Sequence, residues 1–253
     1  MMKSKCDASR VAVVIPSHKS DLSPLEIVSV KQAVAVLGAY DLWLAAPKGL
    51  NTGRWKEWAP TIRVCEFDPY YFASPRGYNH LCRTEEFYAR FSAYDYILLH
   101  QTDCYVFRDE LLDWCGRGYD YIGAPWMNDE FRKGSQKRWT QWWVLRPFLR
   151  KVGNGGFSLR RVDALRRASR RLRFWTDHML DIPEDVFWCN FGRYLYRLKI
   201  PGWREALAFA FDASPEECLK AASGRLPFGC HAWNTASLEF WKEHVGLDVA
   251  KRS

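Results

Sequence analysis

Tyr96-Ile97-Leu98-Leu99-His100 runs straight into Gln101-Thr102-Asp103, an apolar stretch that stops abruptly in polar side chains. Unbroken hydrophobicity over so few residues predicts a strand buried on both faces, from Tyr94 to Leu99, with Asp103 delivered off its carboxyl end. Val11-Ala12-Val13-Val14-Ile15-Pro16 has the same character. It leads to a predicted helix from Ser23 to Leu37, with Ser23-Pro24 as cap and first-turn proline and Gly38 as the stop. Leu42 to Ala46 and Ile62-Arg63-Val64 predict two further strands, and Tyr78 to Phe91 a helix. This alternation predicts an α/β fold, a mixed, mostly parallel central sheet flanked by helices, with ligands gathering beyond the carboxyl ends of the strands.

Downstream, Glu110 to Trp114 reads as a short helix and Tyr119 to Gly123 as a strand entering Ala124-Pro125-Trp126. Strand character resumes from Val152 to Leu159, and helices are expected over Asp163–Leu172, Glu184–Leu198 and Thr235–His244. Between 127 and 151 the pattern is lost, and Lys133, Lys137 and Arg138 mingle with Trp139, Trp142 and Trp143. Such a segment is too long for a passive connector. With 253 residues, 48% of them hydrophobic, and no Gly/Ser/Pro-rich linker, the chain is expected to form one domain over 1–253, with a flexible polar stretch at 1–10.

A net charge of +8 is concentrated in Arg160, Arg161, Arg166, Arg167, Arg170, Arg171 and Arg173, just after Arg146, Arg150 and Lys151. This implies an anionic partner, be it nucleotide phosphate, lipid phosphate, a membrane face or nucleic acid, or else a solvated helix face. The polar N-terminus lacks the apolar segment of a secretory signal, and no run approaches a membrane span, so a cytoplasmic place is expected. Eight cysteines are scattered singly, without Cys-x-x-Cys spacing, which favours reduced packing thiols over disulfides or a zinc site.

Four elements can carry chemistry. Asp103 after a buried strand either caps the next turn or binds a ligand. In Val152-Gly153-Asn154-Gly155-Gly156-Phe157-Ser158-Leu159-Arg160 the glycines let backbone approach a ligand, and Asn154 offers an amide to a hydroxyl or phosphate; a hairpin turn is the plainer reading. Pro183-Glu184-Asp185-Val186 is the grammar of a helix start, yet a carboxylate held against an acceptor hydroxyl would take its proton. His231, in the turn-like Pro227-Phe228-Gly229-Cys230-His231, is either a loop histidine or a metal ligand.

In this order, and together with Asp120-Tyr121-Ile122-Gly123-Ala124-Pro125-Trp126, these elements resemble the GT-A-fold, nucleotide-sugar-dependent glycosyltransferases, and more closely a little-characterised, mainly microbial glycosyltransferase-like family. The resemblance runs from about Val11 to Trp233. It implies a transferase moving a sugar from a nucleoside diphosphate, with UDP-sugars favoured, to a glycan or lipid-linked acceptor, in assembly of a cell-surface polysaccharide or glycolipid. Asp103 stands where an Asp-x-Asp metal and nucleotide motif would end, although position 101 is Gln101 and not an acid. Asp103 and His231 would hold Mn2+ or Mg2+, and Asp185, or else Glu184, would be the base of an inverting transfer. Pro16, Ser17, His18, Arg83, Gln101, Asn154, Gly155 and Gly156 would bind the donor, and Trp126, Trp139, Trp142 and Trp143 the acceptor. The basic, tryptophan-rich segment could also rest on the anionic inner face of a membrane. Two rival readings are a carbohydrate-binding relative that lost the reaction and a basic nucleic-acid-binding protein; no nucleic-acid motif is present, and the acidic residues would repel phosphates without a metal.

Overall fold

The structure, a computed structural model, describes residues 6–127, 152–179, 181–235 and 237–245. Its centre is a six-stranded sheet in the order β3-β2-β1-β4-β7-β6. Strands β1 (Val11–Pro16), β2 (Asp41–Pro47), β3 (Arg63–Phe67) and β4 (Tyr96–His100) are mutually parallel. Every residue of β1 and β4 is buried, as their unbroken apolar runs require.

Helix Pro24–Leu37 crosses from β1 to β2, its start fixed by a reciprocal capping box between Ser23 and Glu26. The helix expected over 78–91 is two, Pro75–Leu81 and Glu85–Arg90. The break falls where the Thr84 hydroxyl accepts from the Phe87 amide and caps the second helix, a local bond that competes with helix continuation. Likewise, the run expected over 184–198 is helical only in pieces: Glu184–Phe187, a π turn over Trp188–Gly192, and Arg193–Leu195.

β5 (Tyr105–Val106) leaves the main sheet, and β6 (Tyr121–Gly123) returns to its edge. β7 (Phe157–Arg161) enters antiparallel between β4 and β6, shorter than the strand expected from 152 because 153–156 forms a loop. Pairing of His100 with Phe157 sets the end of β4 against the start of β7, and the Gln101 amide donates to the Gly156 carbonyl at 3.0 Å. That reversal brings the glycine loop to the sheet edge that carries Asp103. β8 (Ala210–Phe211) and β9 (Gly229–Cys230) join β5 in a small second sheet ordered β5-β9-β8. Helix Leu238–His244 packs Trp241 against this second layer and begins later than expected. The eight cysteines are free thiols, seven of them buried.

Candidate active site

The second sheet assembles the first half of the site. β8 and β9 run parallel with Phe211 opposite Cys230, so the residues that follow, Asp212 and His231, emerge side by side. β5 runs antiparallel to β9 with Tyr105 opposite Cys230, which returns Asp103 to the same point. Asp212 Oδ1 lies 2.9 Å from His231 Nδ1, and His231 Nε2 faces Gln101 Oε1 at 3.1 Å and Asp103 Oδ2 at 3.5 Å. His231 therefore ends a strand rather than sitting in a free turn. Burial alone would lower the affinity of its ring for a proton, but the hydrogen bond that the ring donates to Asp212 and the charges of Asp103, Asp212 and Asp185 outweigh it and raise the pKa to about 9.

Loop 153–156 supplies the second half. The glycines are required by the site's own side chains and not by a ligand: a Cβ on Gly156 would stand 2.1 Å from His231 Cδ2, and one on Gly155 1.9 Å from Glu184 Oε1. Only Gly153 has a backbone angle closed to other residues, with φ at 144°. Asn154 accepts from the Gly156 amide at 2.9 Å and donates to Asp212 Oδ2 at 3.0 Å. The Gly155 amide donates to Asp185 Oδ2 at 3.3 Å, and the Val186 amide to Asp185 Oδ1 at 2.7 Å. Desolvation, reinforced by the nearby charge of Glu184, raises the half-buried Asp185 carboxyl to about 7 despite those two donors.

Glu184 has a different task. It is fully enclosed and 2.5 Å from the guanidinium of Arg160, itself inaccessible, which also bonds Ser158 Oγ, the Tyr88 hydroxyl and the Gly155 carbonyl. Arg160 is thus structural and does not belong to an anion-binding face. Arg83, expected near phosphate, is buried as well: it donates to the carbonyls of Asn79 and Met179 and lies over the Phe187 ring. Buried in this way, it is out of reach of a solvent-borne phosphate.

A cavity of about 740 Å3 opens beyond the carboxyl ends of β1 and β4. Pro16, Ser17, His18, Gln101 and Asp103 line it; Asn154, Gly155 and Gly156 do not, and meet it only from behind, through the bond from the Gln101 amide to the Gly156 carbonyl. Two groups of the site, Glu26 at the cavity lining and Asp212 behind His231, lacked any sequence signal for this place. Glu26, which closes the capping box with Ser23, also accepts from Thr102 at 2.7 Å and pairs with Lys19 at 2.8 Å. Burial would raise its carboxyl, but hydrogen bonds from Lys19, Ser23 and Thr102 prevail and hold it near 2. Asp212 follows a strand of only two residues, too short for periodicity to reveal. Trp126 is half-buried near Gly153; Trp139, Trp142 and Trp143 lie outside the described residues.

Among the described residues no group of three or more His, Cys, Asp or Glu is arranged to hold a metal. The donors present are one carboxylate (Asp103), one imidazole nitrogen (His231) and one amide oxygen (Gln101), with Asp212 orienting the ring from behind. This set fits a hard or borderline cation that completes its shell with substrate oxygens, with Asp212 in the outer-shell place a metal-bound histidine commonly has.

Residues 61–231 match the family described as protein of unknown function (DUF5672). The chain belongs to that family. No protein of curated function matches this DUF5672 chain. Solved structures do resemble it in fold. The galactosyltransferase LgtC, in complex with donor and acceptor sugar analogues, is 14% identical with a TM-score of 0.56 over 93% of this chain and 95% of LgtC. Core-mannan synthase A (CmsA/Ktr4) of Aspergillus fumigatus, in a Mn/GDP form, is 10% identical with a TM-score of 0.50 over 78% of this chain and 73% of that one. The bifunctional glycosyltransferase WbbM is 14% identical with a TM-score of 0.52; the match takes 88% of this chain but only 45% of WbbM. The DUF5672 chain accordingly has the GT-A-like fold, and the strand order and the cavity beyond β1 and β4 agree with it.

Proposed function

We propose that the protein is a glycosyltransferase that moves a sugar from a nucleoside diphosphate to a hydroxyl of a glycan or lipid-linked acceptor. The observation that carries this reading is the convergence, on one loop, of two chemistries. Asp103, which lines the cavity, stands 3.5 Å from His231 behind it, while Asp185, held by the Gly155 amide, has its carboxyl raised to about 7. The fold shared with LgtC and with the Mn/GDP form of CmsA/Ktr4 supports the same class of substrate.

In this reading Pro16, Ser17 and His18 take the nucleoside end of the donor in the cavity. Asp103 and His231, with the Gln101 amide oxygen, would hold Mn2+ or Mg2+, which when bound neutralises charge on the departing diphosphate. The bond from the anomeric carbon to the diphosphate oxygen breaks, a bond to the acceptor oxygen forms, and the acceptor proton passes to Asp185. A carboxyl near 7 suits that task, since a base works best with a pKa close to the operating pH. Attack from the face opposite the leaving group makes the transfer inverting.

The test is thermal stability against UDP, GDP and their sugars, each with Mn2+, Mg2+ or chelator, because a ligand that binds only the native state raises the midpoint. A metal-dependent rise with one nucleotide, absent in Asp103→Ala, is expected. Glycan binding with no nucleotide response would overturn the transferase reading and favour a carbohydrate-binding role.

A further inference from the structure

We propose that the aromatic face formed by helix Arg173–His178 and the run Trp188–Leu195 docks on an anionic lipid bilayer. Among the described residues most large apolar side chains are buried, yet here Phe174 is 64% exposed, Leu195 55% and Trp175 40%. These groups are linked to the core. Trp175 lies 5.9 Å from Phe191, which stacks on buried Phe187 at 5.3 Å, and Phe174 stacks on His178 at 4.3 Å. The surface is therefore braced from beneath and not a stray loop.

Its rim is basic. Arg170 and Arg171 stand one helical turn before Phe174 and Trp175 in a nearly continuous helical run, and the Arg173 side chain is 82% exposed. Against these charges stand Asp163, paired with Arg167, Asp177, paired with Arg173, and Glu85, shared by Arg166 and Arg170. Arg171 is exposed with no ion-pair partner among the described residues. The balance on this face is positive. Exposed aromatic tips ringed by arginine suit the boundary between headgroups and acyl chains, where rings enter the apolar layer and guanidinium groups meet lipid phosphate. A stacking platform for nucleic-acid bases fits less well: Phe174 and Trp175 cross at 87°, leaving no shared plane, and Leu195 offers no ring.

The inference does not depend on sugar transfer, and the two fail separately. The full chain would be floated with vesicles of phosphatidylcholine alone and of an equal mixture with phosphatidylglycerol, at low and high salt. Binding is expected to the anionic vesicles only, and to weaken with salt. The double substitution Phe174→Ser/Trp175→Ser should reduce it by about tenfold or more, with circular dichroism and urea midpoint unchanged. Arg171→Glu/Arg173→Glu, a purely surface change, should give the same loss and serves if the aromatic variant misfolds. Absence of binding by the wild type, or binding by both variants equal to it, would overturn the proposal. So would retention of a single-stranded oligonucleotide as tight as that of the vesicles.

Discussion

Replacing Asp185 with asparagine should make the protein more stable while abolishing its proposed chemistry. The folded protein holds this carboxyl at about 7 against an ordinary 3.8, because burial and the charge of Glu184 disfavour the ionised form. The charged form is therefore worse off folded than unfolded. The penalty is absent below about pH 4, grows as pH rises through the interval between the two values, and is constant above about 7. A shift of that size corresponds to about 4 kcal/mol at the plateau. Asparagine keeps one of the two acceptors that now serve Gly155 and Val186, and losing the other costs about 1 kcal/mol, with a similar loss for less complete desolvation of a half-buried group. A net gain of about 2 kcal/mol is expected at about pH 8, shrinking to less than half of that near pH 5. Urea unfolding of both proteins at the two pH values, with chelator present, measures it. An Asp185→Asn protein equal to or less stable than wild type at about pH 8 would refute the desolvation argument and with it the basis for Asp185 as base.

The titration of His231 carries the opposite expectation. With its folded value raised from 6.5 to about 9, it contributes about 3 kcal/mol that is fully present below about pH 6.5 and lost as pH rises through about 9. In metal-free urea unfolding, Asp212→Asn should be less stable than wild type near neutrality, the gap closing above about pH 9; a gap independent of pH would mean the ring is not charged. Gly156→Ala sets a Cβ 2.1 Å from the His231 ring, so the ring must move. A cost of about 1 to 3 kcal/mol and loss of any metal-dependent nucleotide shift are expected by thermal scan, whereas a retained shift would place the cation elsewhere. Arg160→Met should cost about 3 to 5 kcal/mol, because Glu184 is left buried and unpaired, and Arg160→Met/Glu184→Leu should recover most of it; equal loss in both variants would show that packing and not charge is responsible.

What the sequence made legible was whatever produces long runs. Val11–Pro16 and Tyr96–His100 are buried on both faces, so their hydrophobicity is continuous and the parallel core follows from it. The cap at Ser23 is equally plain, since a capping box is local. The breaks within helices were hidden because their causes compete at single residues, as the Thr84 hydroxyl does over the Phe87 amide. Two-residue strands carry no period, so the second sheet, and the place of Asp212 within it, could not be read in advance. The glycine pair does mark a close approach of something to the backbone. The approaching atoms belong to His231 and Glu184, which lie tens of residues away in sequence, and no local pattern names them.

These close approaches tie the two halves of the site together. Asp103, Asp212 and His231 come from the small sheet, Asp185 from a four-residue helix, and loop 154–156 bonds to both. Within it the Gly155 amide holds Asp185, the Gly156 backbone supports the His231 ring, and Asn154 bridges from the Gly156 amide to Asp212. The amide of Asn154 can point only one way, since its oxygen accepts from a backbone N–H while its nitrogen donates to a carboxylate. Arg160 fixes the loop from behind through the Gly155 carbonyl and Glu184. A buried, charged support is costly to build, and here its position explains it: the same ion pair that holds the loop places a negative charge beside Asp185 and raises that carboxyl toward neutrality. Geometry of the proposed cation end and basicity of the proposed proton-accepting end are therefore set by one short stretch of backbone, and a change that moves the loop should disturb both together.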